Sequence, residues 1–124
     1  MQLKIMVKRL VVIFITVFLT ACVSTKKEIP PLPKDEQVVL YLQMGARYLE
    51  MGMLEAAKEN LEKAEEVDPD NANVHNALGA LHERMKQFPE AKKEYQKAVE
   101  LDANNFGAIN NYGRFLCERG EIDE

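Results

Sequence analysis

The stretch VVLYLQMGARYLEMGMLEAAKENLEKAEEVDPDN, Val38–Asn71, is followed at once by a second version of itself, ANVHNALGALHERMKQFPEAKKEYQKAVELDANN, Ala72–Asn105. Laid one above the other, Gly45 falls on Gly79, Ala57 on Ala91 and Ala64 on Ala98. Glu66-Val67-Asp68 meets Glu100-Leu101-Asp102 in the same register. A third version opens at Phe106 and puts Gly113 under Gly79, and the sequence reaches Glu124 partway through it. A fixed period in this range marks a stacked array, in which each unit buries its apolar side against its neighbours.

Within each unit the apolar positions recur every three or four residues, the spacing of one helix face. In the first unit Leu40, Tyr41, Met44, Tyr48 and Met51 predict a helix from about Gln37 to Met51. Gly52 offers a stop, and a second helix follows from Leu54 to about Val67, burying Ala57, Leu61 and Ala64. Pro69 closes the unit, and Pro89 sits at the start of the second unit's second helix, where no backbone donor is needed. Tyr41, Met44-Gly45, Tyr48, Ala57, Leu61 and Pro69 resemble the tetratricopeptide signature W-x2-L-G-x2-Y, A-x3-F, P. The second unit matches it with His75, Leu78-Gly79, His82, Ala91 and Tyr95, with Ala103 in place of the proline. The third matches it with Ile109, Tyr112-Gly113 and Leu116. The resemblance implies an all-α solenoid of helix–turn–helix units, about two and a half tetratricopeptide repeats: 37–71, 72–105 and the first helix of a third at 106–124.

The last helix is expected to leave an apolar side uncovered, formed by Ile109, Tyr112, Phe115 and Leu116. Gly120-Glu121-Ile122-Asp123-Glu124 reads as the turn and opening of a further helix, so the array is expected to be part of a longer one.

What precedes the repeats reads as delivery and tethering. Lys4, Lys8 and Arg9 lead into the apolar run Leu10–Leu19. That run is too short for a bilayer span, which takes about 20 residues, and has the size of a secretory signal core. Leu19-Thr20-Ala21-Cys22 resembles the lipobox of bacterial lipoproteins, which implies a signal peptide over 1–21, cleavage after Ala21 and covalent lipid on Cys22. Small residues let the peptidase reach the backbone, and the thiol is the group that takes the lipid. Several acyl chains give stable anchoring where one does not. Val23, rather than Asp, follows the cysteine, which by the same resemblance implies the outer membrane, facing the periplasm. Residues 22–36 then form a linker in which Pro30, Pro31 and Pro33 favour an extended chain of about 3.1 Å per residue, a semi-stiff spacer.

Composition narrows the functional classes. The net charge is −4, and loss of Lys4, Lys8 and Arg9 with the signal peptide leaves −7. A nucleic-acid binder needs a clustered basic face, and the repeats have none. Two cysteines, Cys22 and Cys117, make neither a disulfide framework nor a zinc site. His75 and His82 are seven apart and occupy positions where the repeat expects large aromatics, so they read as packing residues rather than metal ligands. Glu59, Glu62, Glu65 and Glu66 interleaved with Lys58 and Lys63 read as a solvated, paired helix face. No phosphate loop, nucleophile–base pair or cofactor motif is present, so no enzymatic role is expected.

Binding remains. In arrays of this kind the first helices line a concave groove. The residues off their packing face are Leu42, Ala46 and Leu49, then Asn76, Ala80 and Glu83, then Asn110, Arg114 and Cys117. Leu42 and Leu49 are expected to be exposed and to favour an apolar partner segment. Asn76 and Asn110, one repeat apart, either bond a partner's backbone or satisfy local polar groups.

The lipobox, the short spacer and the stretch Asn110-Asn111-Tyr112-Gly113-Arg114-Phe115-Leu116-Cys117 are similar to the type IV pilus biogenesis and stability lipoproteins, the pilotins of the pilus secretin. This resemblance implies binding of a secretin subunit and its delivery to the outer membrane for assembly and twitching motility. It also implies that this chain corresponds to the N-terminal part of such a protein. The other reading is an envelope scaffold that regulates a cell-wall synthase or hydrolase. Cys22→Ser is expected to abolish palmitate incorporation and release the chain from the membrane fraction; retention of both would refute the lipoprotein reading.

Overall fold

The computed structural model describes residues 30–120, together with Leu3. Apart from Leu3, the expected signal peptide, the expected lipidation site Cys22 and the expected linker up to residue 29, together with residues 121–124, therefore lie outside the described residues. The unit that begins at Leu32 contains five helices among the described residues: α1 Lys34–Glu50, α2 Leu54–Val67, α3 Ala72–Arg84, α4 Phe88–Leu101 and α5 Phe106–Arg119. Each helix packs on the next, and α3 also touches both α1 and α5. The odd-numbered helices therefore form one layer and the even-numbered ones the other. None of the described helices is long and apolar enough to cross a membrane.

The first helix starts three residues earlier than the apolar spacing predicts. Pro33 sits at its N-cap, and its carbonyl accepts from Gln37 N at 2.9 Å. Asp35 and Glu36 occupy the first turn, where their charge complements the helix dipole. These polar residues carry no apolar periodicity, so the pattern could not reveal that turn.

The turns repeat as faithfully as the helices. After α1, Gly52 has φ +73° and Met53 N donates back to Tyr48 O at 2.9 Å; after α3, Lys86 has φ +61° and Gln87 N donates to His82 O at 2.8 Å. This is the same left-handed helix stop each time, and glycine adopts it without a steric penalty. Gly120, φ +67°, occupies the same register after α5. Two asparagines in register, Asn71 and Asn105, cap α3 and α5: Asn71 Oδ1 accepts from Asn73 N and Val74 N, and Asn105 Oδ1 from Ala108 N.

Two glycines let the layers meet. A Cβ on Gly45 would lie 2.6 Å from Leu61, and one on Gly79 would lie 2.6 Å from the Tyr95 ring. Ala57, Leu61 and Ala64 are fully buried around the first contact, as are Ala91, Tyr95 and Ala98 around the second. At Gly113 a Cβ would meet nothing within 4 Å.

The packing face of α1 differs from the predicted one. Val38 and Gly45 are buried and Tyr41 and Tyr48 half-buried, whereas Leu40, Met44 and Met51 face outward. The second repeat explains the difference. Val74, Leu78 and Leu81 stand in the register of Leu40, Met44 and Arg47, and they are buried because α2 lies against α3. Among the described residues no helix precedes α1 in that way. The expected open side of α5 also changes: Phe115 is buried and Tyr112 half-buried against Tyr95, with ring centroids 5.6 and 6.4 Å away. Leu116 is also half-buried, whereas Ile109 stands open as expected, joined by Phe106, which is 81% exposed.

Gly79→Ala is expected to destabilise the fold by about 1–3 kcal/mol through overpacking against Tyr95. Gly113→Ala should be neutral or stabilising by up to about 1 kcal/mol, the helix-propensity difference. Urea denaturation of both variants checks the contrast.

Candidate protein-binding surface

The odd-numbered helices carry the surface that the sequence assigns to partner binding. Its residues are not uniformly available. Ala46, Asn110, Arg114 and Cys117 are exposed, and Asn76, Ala80 and Glu83 are half-buried. Leu42 and Leu49 are half-buried against the core of repeats one and two, so they are not the open apolar contacts expected of them.

A polar seam ties α3 to α5 along this surface. Asn111 Nδ2 donates to Asn76 Oδ1 at 3.0 Å, and Asn105 Nδ2 donates to Asn73 Oδ1 at 2.8 Å. The carbonyl of Asn76 thus serves the repeat junction, through a neighbour of Asn110 rather than Asn110 itself. Arg114 forms a two-pronged pair with Glu83, each nitrogen 2.9 Å from a carboxylate oxygen, and also donates to Glu118 at 3.0 Å. Tyr95 Oη donates to Glu83 at 2.8 Å from below. Arg114 beside it holds the Glu83 carboxyl below its ordinary range, aided by Tyr95 and opposed by partial burial. Burial and the Glu83 charge push the Tyr95 hydroxyl up, and the two carboxylates keep Arg114 firmly charged. Sequence reasoning placed Glu83 and Arg114 on this surface without pairing them, because they are 31 residues apart and the pairing needs the superhelical stacking.

His75 is fully buried. Its Nδ1 lies 2.6 Å from Glu94 Oε2 and its Nε2 2.7 Å from the Pro69 carbonyl. Lys97 Nζ also donates to that carbonyl at 3.3 Å. The ring occupies the place of the repeat's large aromatic and clasps the turn between repeats one and two onto α4. Glu65 joins this group: one atom each of Glu65, His75 and Glu94 lie within 4.8 Å of one another. His82 stands apart, half-buried, with Nδ1 2.8 Å from Gln87 Oε1 in the α3–α4 turn. The two histidines therefore do not form a pair, and the partners of His75 come from α4 and from the turn before α3.

The predicted glutamate–lysine face of α2 is present as Lys63–Glu59 at 2.6 Å and Lys58–Glu62 at 3.8 Å, both solvent-exposed. The α1 helix adds a shallow groove lined by Leu40, Gln43, Met44, Arg47 and Tyr48. Sequence reading missed it as a surface because it took Leu40 and Met44 for core.

Tetratricopeptide-repeat models match residues 45–86, 72–105 and 94–124, and the chain belongs to the tetratricopeptide-repeat family. Such arrays are protein-interaction scaffolds. Among curated proteins the chain is similar to the type IV pilus assembly protein PilF of Pseudomonas aeruginosa strain PAO1, 36% identical over 121 residues. That alignment covers 95% of this chain and 48% of PilF, so the chain spans about half the length of that relative. A solved structure from a functional characterisation of Pseudomonas aeruginosa pilF matches with TM-score 0.68 and 40% identity, covering 70% of this chain and 39% of that one.

Because the Glu83 carboxyl titrates lower in the folded chain than its ordinary value of about 4.5, its stabilising contribution is present above that value. It is lost as pH falls through the folded value. Glu83→Gln is expected to lower stability by about 1 kcal/mol at pH 7 and to narrow its gap from the parent as the pH approaches 3. Thermal melts across that range check both the size and the direction.

Proposed function

We propose that this chain is a lipid-anchored assembly factor of the type IV pilus, acting as a pilotin that binds a secretin subunit and delivers it to the outer membrane. The observation that carries the reading is the 36% identity with a type IV pilus assembly protein, extending over 95% of the chain. The lipobox ending at Cys22 and the Asn-Asn-Tyr-Gly stretch at Asn110–Gly113 support the same reading from the sequence.

The division of labour follows from the parts. Lipid on Cys22 sets the destination, the proline-containing linker sets the reach, and the odd-helix surface supplies affinity without chemistry. Ala46 and Ala80 form its small, accessible floor, and the Asn76–Asn111 and Glu83–Arg114 bonds hold its walls in register. A partner segment meets a preorganised surface there, so little of its binding free energy is lost in ordering the receptor.

Deleting the gene is expected to abolish heat-resistant secretin multimers in the outer membrane, together with twitching motility. Normal multimers in the deletion strain would refute the pilotin role. Co-purification of a cell-wall synthase or hydrolase instead of a secretin would move the protein to the envelope-scaffold class.

A further inference from the structure

The first turns of α3 hold a group of ligating atoms that the repeat's packing does not call for. His75 is fully buried, and a carboxylate from each of two neighbouring helices stands beside it: Glu65 from α2 and Glu94 from α4, both half-buried. One ligand atom from each of the three residues lies within 4.8 Å of the other two. The other repeats have neither a histidine nor a carboxylate at these places. Tyr41 and Ile109 stand in the register of His75, and Asn60 stands in that of Glu94, where its amide donates to the Ala56 carbonyl of its own helix.

The hydrogen bonds around the ring decide which of its atoms is available. The Pro69 carbonyl, 2.7 Å from Nε2, can only accept, so Nε2 carries a proton and donates to it. Ligating imidazoles are held in this way, by donation of the other ring N–H to a backbone carbonyl. The ammonium of Lys97 is bonded to the same carbonyl, on the Nε2 side, and leaves the Nδ1 side to the carboxylates. Nδ1 faces Glu94 Oε2 at 2.6 Å, where an imidazole lone pair would meet a second acceptor. A positive species has to lie between them. A proton meets that need for His75 and Glu94 but gives Glu65 no part. Two carboxylates and one imidazole together supply the charge and the donor atoms for a divalent cation, and such a set suits Zn2+. Bond lengths of about 2.0–2.2 Å at a tetrahedral angle bring ligand atoms about 3.4 Å apart, so small rotations of the half-buried carboxylates close the site.

We propose that Glu65, His75 through Nδ1, and Glu94 bind one Zn2+ ion, with water as the fourth ligand. The ion ties α2, α3 and α4 together across the junction of repeats one and two and stiffens the array there. Helical spacing cannot show this site, because each ligand comes from a different helix. The inference does not depend on the identity of the partner at the odd-helix surface.

The test uses the full chain carrying Cys22→Ser and Cys117→Ser, which removes its two thiols as competing ligands. The chain is freed of metal with a chelator and titrated with zinc chloride. Calorimetry is expected to show one ion per chain, and zinc should raise the melting temperature. Glu65→Gln and Glu94→Gln should each weaken binding at least about tenfold. His75→Tyr, which installs the residue of that register in the first repeat, should abolish it. Glu65 makes neither of the ring's two hydrogen bonds, so Glu65→Gln is expected to keep the parent circular dichroism and metal-free melting temperature. That variant separates a lost ligand from a lost fold. Long-range 15N–1H spectra of the imidazoles are expected to show His75 Nδ1 shifting with zinc while His82 stays fixed. Absence of binding, undiminished binding by Glu65→Gln or His75→Tyr, shifts confined to His82, or a proton retained on His75 Nδ1 at saturating zinc would each overturn the proposal.

Discussion

Two contacts without a Cβ hold the architecture together: Gly45 under Leu61 and Gly79 under Tyr95. At either place one added methyl group would lie 2.6 Å from a large side chain, well inside van der Waals contact. The helix pair must therefore either keep glycine or separate. Separation would also lift Ala57 and Ala64, or Ala91 and Ala98, off their neighbours, since all four are fully buried around the same crossings. Close approach then lets the second helices act as spacers between first helices, and so decides how far apart α1, α3 and α5 stand. The bonds along the odd-helix surface, Asn76 to Asn111 and Glu83 to Arg114, have their lengths because of that spacing.

The periodic part of this fold was legible because packing at a helix crossing restricts residue type. Gly45, Gly79 and Gly113 recur in register, and so do the alanine pairs, giving the helix order and the turn positions. The turn chemistry was less visible. Gly52 announces a left-handed stop, but Lys86 takes the same conformation with φ +61° and carries no such signal. Asn71 and Asn105 are capping residues that look like loop composition until their carbonyl oxygens are seen accepting from the next helix.

The surface was harder to read, for a physical reason. Helical spacing says which residues share a face but not whether a neighbouring element covers that face. Leu40 and Met44 fall on a correct apolar stripe, and their counterparts Val74 and Leu78 are buried, yet α1 has no described helix on that side. Leu42 and Leu49 were assigned to the groove by position, but contact with the core leaves them half-buried. Pairings between repeats lie beyond any single-helix pattern. His75 with Glu94 and Pro69, and Arg114 with Glu83, each join residues that only the stacking brings together.

The same pairings bear on how the odd-helix surface can select a partner. Its ionic groups Glu83, Arg114 and Glu118 are engaged with one another, and Tyr95 reinforces Glu83 from the layer beneath. A partner charge would have to compete with a two-pronged, partly buried pair, and the energy gained by replacing one such contact with another is small. On the proposed reading, selectivity on this surface falls to its uncharged residues, among them the small Ala46, which is exposed, and Ala80, which is half-buried. On that reading a strongly charged partner segment gains little there. A surface of that kind is compatible with an array whose dimensions are set by glycines rather than by its surface charges.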